Sequence, residues 1–128
     1  MAKRVLIVDD AAFMRSMVRE IFVDAGYEVV GEATHGAEAV QRYQELKPDL
    51  TTMDIVMPYK NGVEATREIV RAHPQAVVVI CSALGQEALV LEALEAGAAD
   101  FVVKPFRSEE LLAVVRKVMG EDASPGPQ

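Results

Sequence analysis

Five residues of this chain carry side chains suited to phosphoryl chemistry, and each stands at or just past the end of a short apolar run. Asp9 and Asp10 follow VLIV, Asp54 closes LTTMD, Ser82 follows VVVIC, and Lys104 follows FVV. If those runs are parallel strands, their carboxyl ends are neighbours in space however far apart they lie in sequence. Three carboxylates would then repel one another and attract a divalent cation. Mg2+ takes oxygen ligands in an octahedron and keeps several waters. Asp10 and Asp54 read as direct ligands and Asp9 as a ligand through water, with the backbone carbonyl of Val56 completing the protein's share. An aspartate at a strand end can also attack phosphorus and form an acyl phosphate. Metal and ammonium neutralise the equatorial oxygens, which is most of what phosphoryl transfer asks of a protein. Asp54 is the expected nucleophile, because it stands alone on the middle strand between the acid pair and Lys104.

Taken singly, these residues have plainer roles. Asp-Asp after a strand caps the next helix, and a serine or a Lys-Pro after a strand is a turn. Five suitable residues at the ends of four strands favour the chemical reading. His35 and His73 lack metal-ligand spacing and read as solvated loop residues. The methionines of the first helical segment and Cys81, inside an apolar run, read as core. The net charge of −7 and the lack of a basic stripe argue against nucleic acid and against an anionic membrane surface. One cysteine forms no internal disulfide, and with no signal peptide or long apolar span a reducing cytoplasmic setting is expected.

The elements that must position these residues follow from periodicity. Strands are expected at 4–8, 28–33, 50–53, 76–81 and 101–103, and helices at 12–25, 36–46, 62–73, 86–96 and 108–119. Runs such as VLIV and AVVVIC lack polar alternation, as strands covered on both faces do. In the first helix Met14, Met17, Val18, Ile21 and Ala25 share one stripe; in the last, Leu111, Leu112, Val115, Val118 and Met119 do. Gly26 and Gly97 suit left-handed helix ends, and Pro48 and Pro74 stop helices. Ser108 suits the last N-cap, without a capping box because position 111 is Leu. Residues 1–120 read as one domain and 121–128 as a disordered polar tail. Alternating strands and helices give an α/β doubly wound parallel sheet of five strands, whose crevice lies outside the strands' carboxyl ends.

VLIVDD, TMDIVMPYKNG, ICSA and DFVVKPF resemble the receiver domains of two-component response regulators, over residues 3–119. VLIVDDAAFMR, GYEVVGEATHG and AGAADFVVKPF resemble in particular the stand-alone chemotaxis regulators of that family. The resemblance implies the flavodoxin-like strand order 2-1-3-4-5, an attribute of the family rather than a derivation from these residues. It implies that Asp54 accepts phosphate from a histidine kinase, that Asp9 and Asp10 help hold Mg2+, and that Lys104 contacts the phosphoryl group. Ser82 stands where the family has Thr or Ser, Phe101 at a switch position that is often Tyr, and the Lys104–Pro105 bond is usually cis. The implied regulator is a monomeric phosphoacceptor rather than an enzyme. It assists its own phosphorylation and dephosphorylation, binds a flagellar motor switch protein, and is a possible substrate for a phosphatase. Its output surface would be the fourth helix, fifth strand and fifth helix, where Leu91 falls among Glu87, Glu92 and Glu95. Tyr59-Lys60 depart from the acidic or small residues often found after the phosphoacceptor. A single-domain phosphorelay intermediate is the alternative. A haloacid dehalogenase-type phosphatase would need D-x-D and room for a cap. An FMN carrier would need a Ser/Thr/Gly-rich loop where Asp9-Asp10 stand.

Overall fold

A computed structural model describes residues 2–120. The elements alternate as β1 (Arg4–Val8), α1 (Ala12–Asp24), β2 (Glu28–Ala33), α2 (Gly36–Leu46), β3 (Leu50–Asp54), α3 (Gly62–Ala72), β4 (Val78–Ser82), α4 (Glu87–Glu95), β5 (Asp100–Val103) and α5 (Ser108–Val118). All pairings are parallel and the sheet order is β2-β1-β3-β4-β5, as the resemblance implies. The expected tail at 121–128 lies outside the described residues.

Strand pleating sorts the core into two layers. Successive side chains point to opposite faces, so Leu6 and Val8 pack with Tyr43 of α2, Ile69 of α3 and Ala93 of α4. Val5 and Ile7 pack on the other face with Val18 and Phe22 of α1 and Leu111 and Val115 of α5. Every residue of β3 and β4 is buried. That explains the apolar run of β4, where Cys81 packs as a small core residue, while β3 buries Thr51 and Thr52 as well as Leu50 and Met53.

Both central strands run one residue past the apolar signal. Asp54 pairs with Cys81, and Ser82 pairs with Val103, as the last rungs of their ladders. β4 starts at Val78 rather than 76, because the Ala76 amide is spent in a turn to the His73 carbonyl. Gly26 and Gly97 do take positive φ at the helix ends.

Three local expectations are corrected by tertiary contacts. The deepest residue of α1 is Phe22, outside the expected stripe; it is wholly buried with its ring edge-on to Tyr27 at 5.2 Å. The N-cap of α5 is Arg107 rather than Ser108, so its third helical residue is Glu110. The Glu110 carboxylate accepts the Arg107 N–H at 2.7 Å. That is half of a capping box, since a guanidinium has no acceptor to return the bond. His35 is no solvated loop residue: its Nδ1 caps α2 by accepting the Glu38 N–H at 3.2 Å. Its ring lies edge-on to Tyr59, 4.9 Å away, and the His73 ring lies the same distance from Tyr43.

Gly62 closes the loop after β3. Its N–H reaches the Ile55 carbonyl at 2.7 Å, and a Cβ there would collide with the Asp54 carbonyl. At Gly31 a Cβ would meet side-chain ends only, of Leu46 at 2.6 Å, Arg42 at 3.1 Å and Leu6 at 3.6 Å. Gly62→Ala is therefore expected to cost about 3 kcal/mol and Gly31→Ala about 1 kcal/mol. Urea midpoints of the two variants check this, and equal losses would contradict it.

Candidate functional site

The site forms where β1 and β3 end side by side, with the residue after β5 reaching over. The Asp9 amide extends the β1–β2 ladder by one bond, to the Ala33 carbonyl at 3.1 Å. Its carboxylate then serves two purposes. Oδ1 accepts the Ala11 N–H at 2.9 Å and turns the chain into α1, and Oδ2 accepts the Lys104 Nζ at 2.9 Å. The plain helix-start role and the chemical one thus coexist in one side chain. Asp54 is buried at the end of β3. Its Oδ1 accepts the Ile55 N–H at 2.9 Å and lies 3.3 Å from Lys104 Nζ. Asp10 is exposed beside them. Carboxylate oxygens of Asp9, Asp10 and Asp54 all lie within 4.8 Å of one another.

Electrostatics follow from that crowding. Burial, and then the negative charge of Asp9, push the Asp54 carboxyl above its ordinary range, and Lys104 only partly offsets them. Burial alone would lower the Lys104 ammonium, but the hydrogen bond to Asp9 and the charges of Asp54 and Asp9 outweigh it and raise it. A raised carboxyl favours the folded state when protonated and loses that advantage as pH rises through its folded value. At neutral pH, ionised Asp54 is therefore a net cost to folding. Cys81, opposite Asp54, is pushed by burial up to about 12 and stays a thiol.

Ser82 and Phe101 sit on a different wall. The buried Ser82 hydroxyl reaches the Val102 carbonyl only at 3.5 Å, the outer limit of a hydrogen bond. Phe101 is 37% exposed and lines an apolar cavity of about 290 Å³ with Ser82, Leu84, Val90, Leu91 and Leu94. The five chemical residues therefore divide. Asp9, Asp10, Asp54 and Lys104 form one cluster, while Ser82 links that edge to the cavity.

The loop after β3 carries Val56, whose side chain is exposed, and then Tyr59 in the left-handed region at φ 69°. Strain of that kind persists only where the surroundings impose it. Here the Lys60 carbonyl accepts the Gly36 N–H at 2.9 Å, the Lys60 ammonium pairs with Glu68, and the His35 ring meets Tyr59. These contacts explain how the unusual Tyr59-Lys60 pair is accommodated.

An all-oxygen donor set of three crowded acids, one of them kept from ionising easily by burial and a like charge, fits a hard divalent cation such as Mg2+. Residues 5–116 match the response regulator receiver domain. The chain belongs to the response regulator receiver family. Among curated proteins it is 58% identical to the chemotaxis protein CheY of Thermotoga maritima over 118 residues, 92% of this chain and 98% of that one. It is 51% identical to CheY of Bacillus subtilis over 119 residues, 93% and 99% of the two chains. A solved structure of a CheX-CheY-BeF3-Mg2+ complex from Borrelia burgdorferi superposes with a TM-score of 0.87 at 36% identity, covering 91% of this receiver and 88% of that chain. The receiver is thus of the chemotaxis type, and the phosphatase and flavin readings fall away. Among the described residues, no helix is long and apolar enough to cross a membrane.

Asp54→Asn removes the costly charge and keeps the acceptor for the Ile55 N–H. It is expected to stabilise the metal-free receiver and to abolish most of the Mg2+-induced rise in Tm. Thermal melts with and without Mg2+ check both, and a full Mg2+ response in the variant would contradict the site.

Proposed function

We propose that this receiver is a phosphorylation-activated chemotaxis messenger. It takes a phosphoryl group on Asp54 from a histidine kinase and carries the signal to a flagellar motor switch protein. The observation that carries this reading is the Asp54 carboxylate at the end of the middle strand, between the Asp9-Asp10 pair and the Lys104 ammonium.

Oδ1 of Asp54 is already engaged by Ile55 and Lys104, so the attack on phosphorus falls to Oδ2. As the new P–O bond forms, the P–N bond of the phosphohistidine breaks. Its electron pair returns to the imidazole nitrogen, which takes a proton from solvent. Asp10, Asp54 and the Val56 carbonyl, with Asp9 through water, would hold a Mg2+ ion, which when bound would supply positive charge to the phosphoryl oxygens. Lys104 then exchanges part of its pairing with Asp9 and Asp54 for the new phosphoryl oxygens. Water attack on phosphorus later returns the carboxylate, alone or with a phosphatase.

The output follows from packing. Ser82 turns from its long contact with Val102 to donate to the phosphoryl group, and Phe101 moves into the cavity beside it. That biases two packings of the α4–β5–α5 surface, on which Leu91 stands 62% exposed. Phe101 makes this move without a hydroxyl, so its own gain on moving inward is packing in the cavity rather than a hydrogen bond. In this reading the receiver works in the cytoplasm as a monomeric phosphoacceptor rather than as a turnover enzyme.

The test is binding of a dye-labelled peptide from a motor switch protein, with and without Mg2+ and beryllofluoride. The label is needed because the chain has no Trp. Activation is expected to tighten binding by about 10-fold, within the usual range of allosteric coupling. In Lys104→Ala the gain is expected to fall below about twofold. An undiminished gain in that variant would contradict the link through Lys104. No gain in the wild type would move the output to a phosphorelay.

A further inference from the structure

Arg15, which sequence reasoning passed over, touches none of the acid side chains, yet it holds the backbone from which two of them project. It lies on α1 one turn past Ala11, to whose carbonyl its own amide is bonded at 3.0 Å. Helical side chains lean toward the N-terminus, and Arg15 reaches back so that its Nη1 donates to the Asp9 carbonyl at 2.7 Å. Its Nε pairs with Glu32 Oε1 of β2 at 3.0 Å, and Arg19 Nε takes the other oxygen of Glu32, also at 3.0 Å. The Arg15 side chain is 16% exposed, against 47% for Arg19.

This contact completes the immobilisation of Asp9. The Asp9 amide is held by Ala33, Oδ1 by Ala11, Oδ2 by Lys104, and the carbonyl by Arg15. The Asp9 carbonyl belongs to the same planar peptide unit as the Asp10 nitrogen and Cα. Fixing that oxygen therefore fixes the plane from which the exposed Asp10 carboxylate sets out. The bond is charge-assisted and directional, and Glu32, shared with Arg19, offsets part of the guanidinium charge and fixes its fork.

We infer that Arg15, braced by Glu32, is a positioning residue for the Asp9-Asp10 turn and sets its affinity for a divalent cation. The inference rests on the proposed Mg2+ role of these acids. Arg19 shares Glu32 but does not reach Asp9, which separates positioning from a general ion-pair effect.

The experiment compares wild type, Arg15→Ala, Arg15→Lys, Glu32→Gln and Arg19→Ala as full chains. Mg2+ affinity is measured by calorimetry, and hydrogen exchange of the Asp10 and Ala11 amides is measured without metal. Arg15→Ala is expected to weaken Mg2+ by about 10-fold, the lower range for removing an outer supporting contact of a metal site, and to speed exchange at both amides. Arg15→Lys is expected to recover part of each, because one ammonium cannot reproduce the fork. Glu32→Gln is expected to fall between, and Arg19→Ala to stay within about twofold of wild type. Wild-type Mg2+ affinity and exchange in Arg15→Ala, or equal losses in Arg19→Ala, would overturn the inference. A wild type that binds no Mg2+ would overturn the cation role, while metal-free exchange would still decide whether Arg15 holds the turn.

Discussion

Three carboxylates share one sheet edge, two of them paired with the Lys104 ammonium, and most of the local structure answers to that imbalance. Left in water, such groups would separate. Here Asp9 and Asp54 cannot, because Asp54 ends a buried strand, Asp9 directly follows one, and each carboxylate is committed to a backbone N–H. Lys104 approaches both, at 2.9 and 3.3 Å, yet burial and the Asp9 charge still hold the Asp54 carboxyl above its ordinary range. The site is thus poised to gain from a divalent cation and, with it, from an incoming phosphoryl group. The surroundings lock the arrangement. Gly62 lets the loop pass against the Asp54 carbonyl, Lys60 and Tyr59 are tied to the start of α2, and Arg15 clamps the Asp9 carbonyl.

Rigidity on that side contrasts with looseness on the other. The cavity beside Ser82 and Phe101 is apolar, and protein interiors seldom leave such space unfilled. In the proposed switch, the exposed Phe101 ring beside that space supplies a second packing. A small change at the rigid site can then select between the two, which is how a charge placed on Asp54 could be read at α4 and β5.

Much of this was legible in the sequence because the strands are central. Apolar runs marked β1 and β4, the short LTTM segment marked β3, and the polar residue at the end of each became a candidate for the site. That rule alone led to Asp54 and Lys104, which the fold brings within 3.3 Å of each other, and to Ser82 on the neighbouring wall. What escaped depends on contacts between elements. Phe22 outranks its stripe only because Tyr27 and the sheet close over it. The α5 cap moved by one residue because Glu110 could reach the Arg107 amide. His35 looked like a solvated loop residue until its ring nitrogen met a helix N–H. Arg15 gave only a faint signal, a cation one turn into the helix that follows two acids, and its partner Glu32 is set by the register of β2 against β1.

The central claim is that the crowded acids exist to make Asp54 a metal-assisted phosphoacceptor. The direct measurement is peptide mass spectrometry after exposure to a small phosphodonor, with Mg2+ present or removed by chelation. The expected result is a hydroxylamine-labile phosphoryl group on the peptide containing Asp54, formed with Mg2+ and largely lost without it. A phosphoryl group on another residue, or equal labelling of Asp54 without any divalent cation, would contradict it.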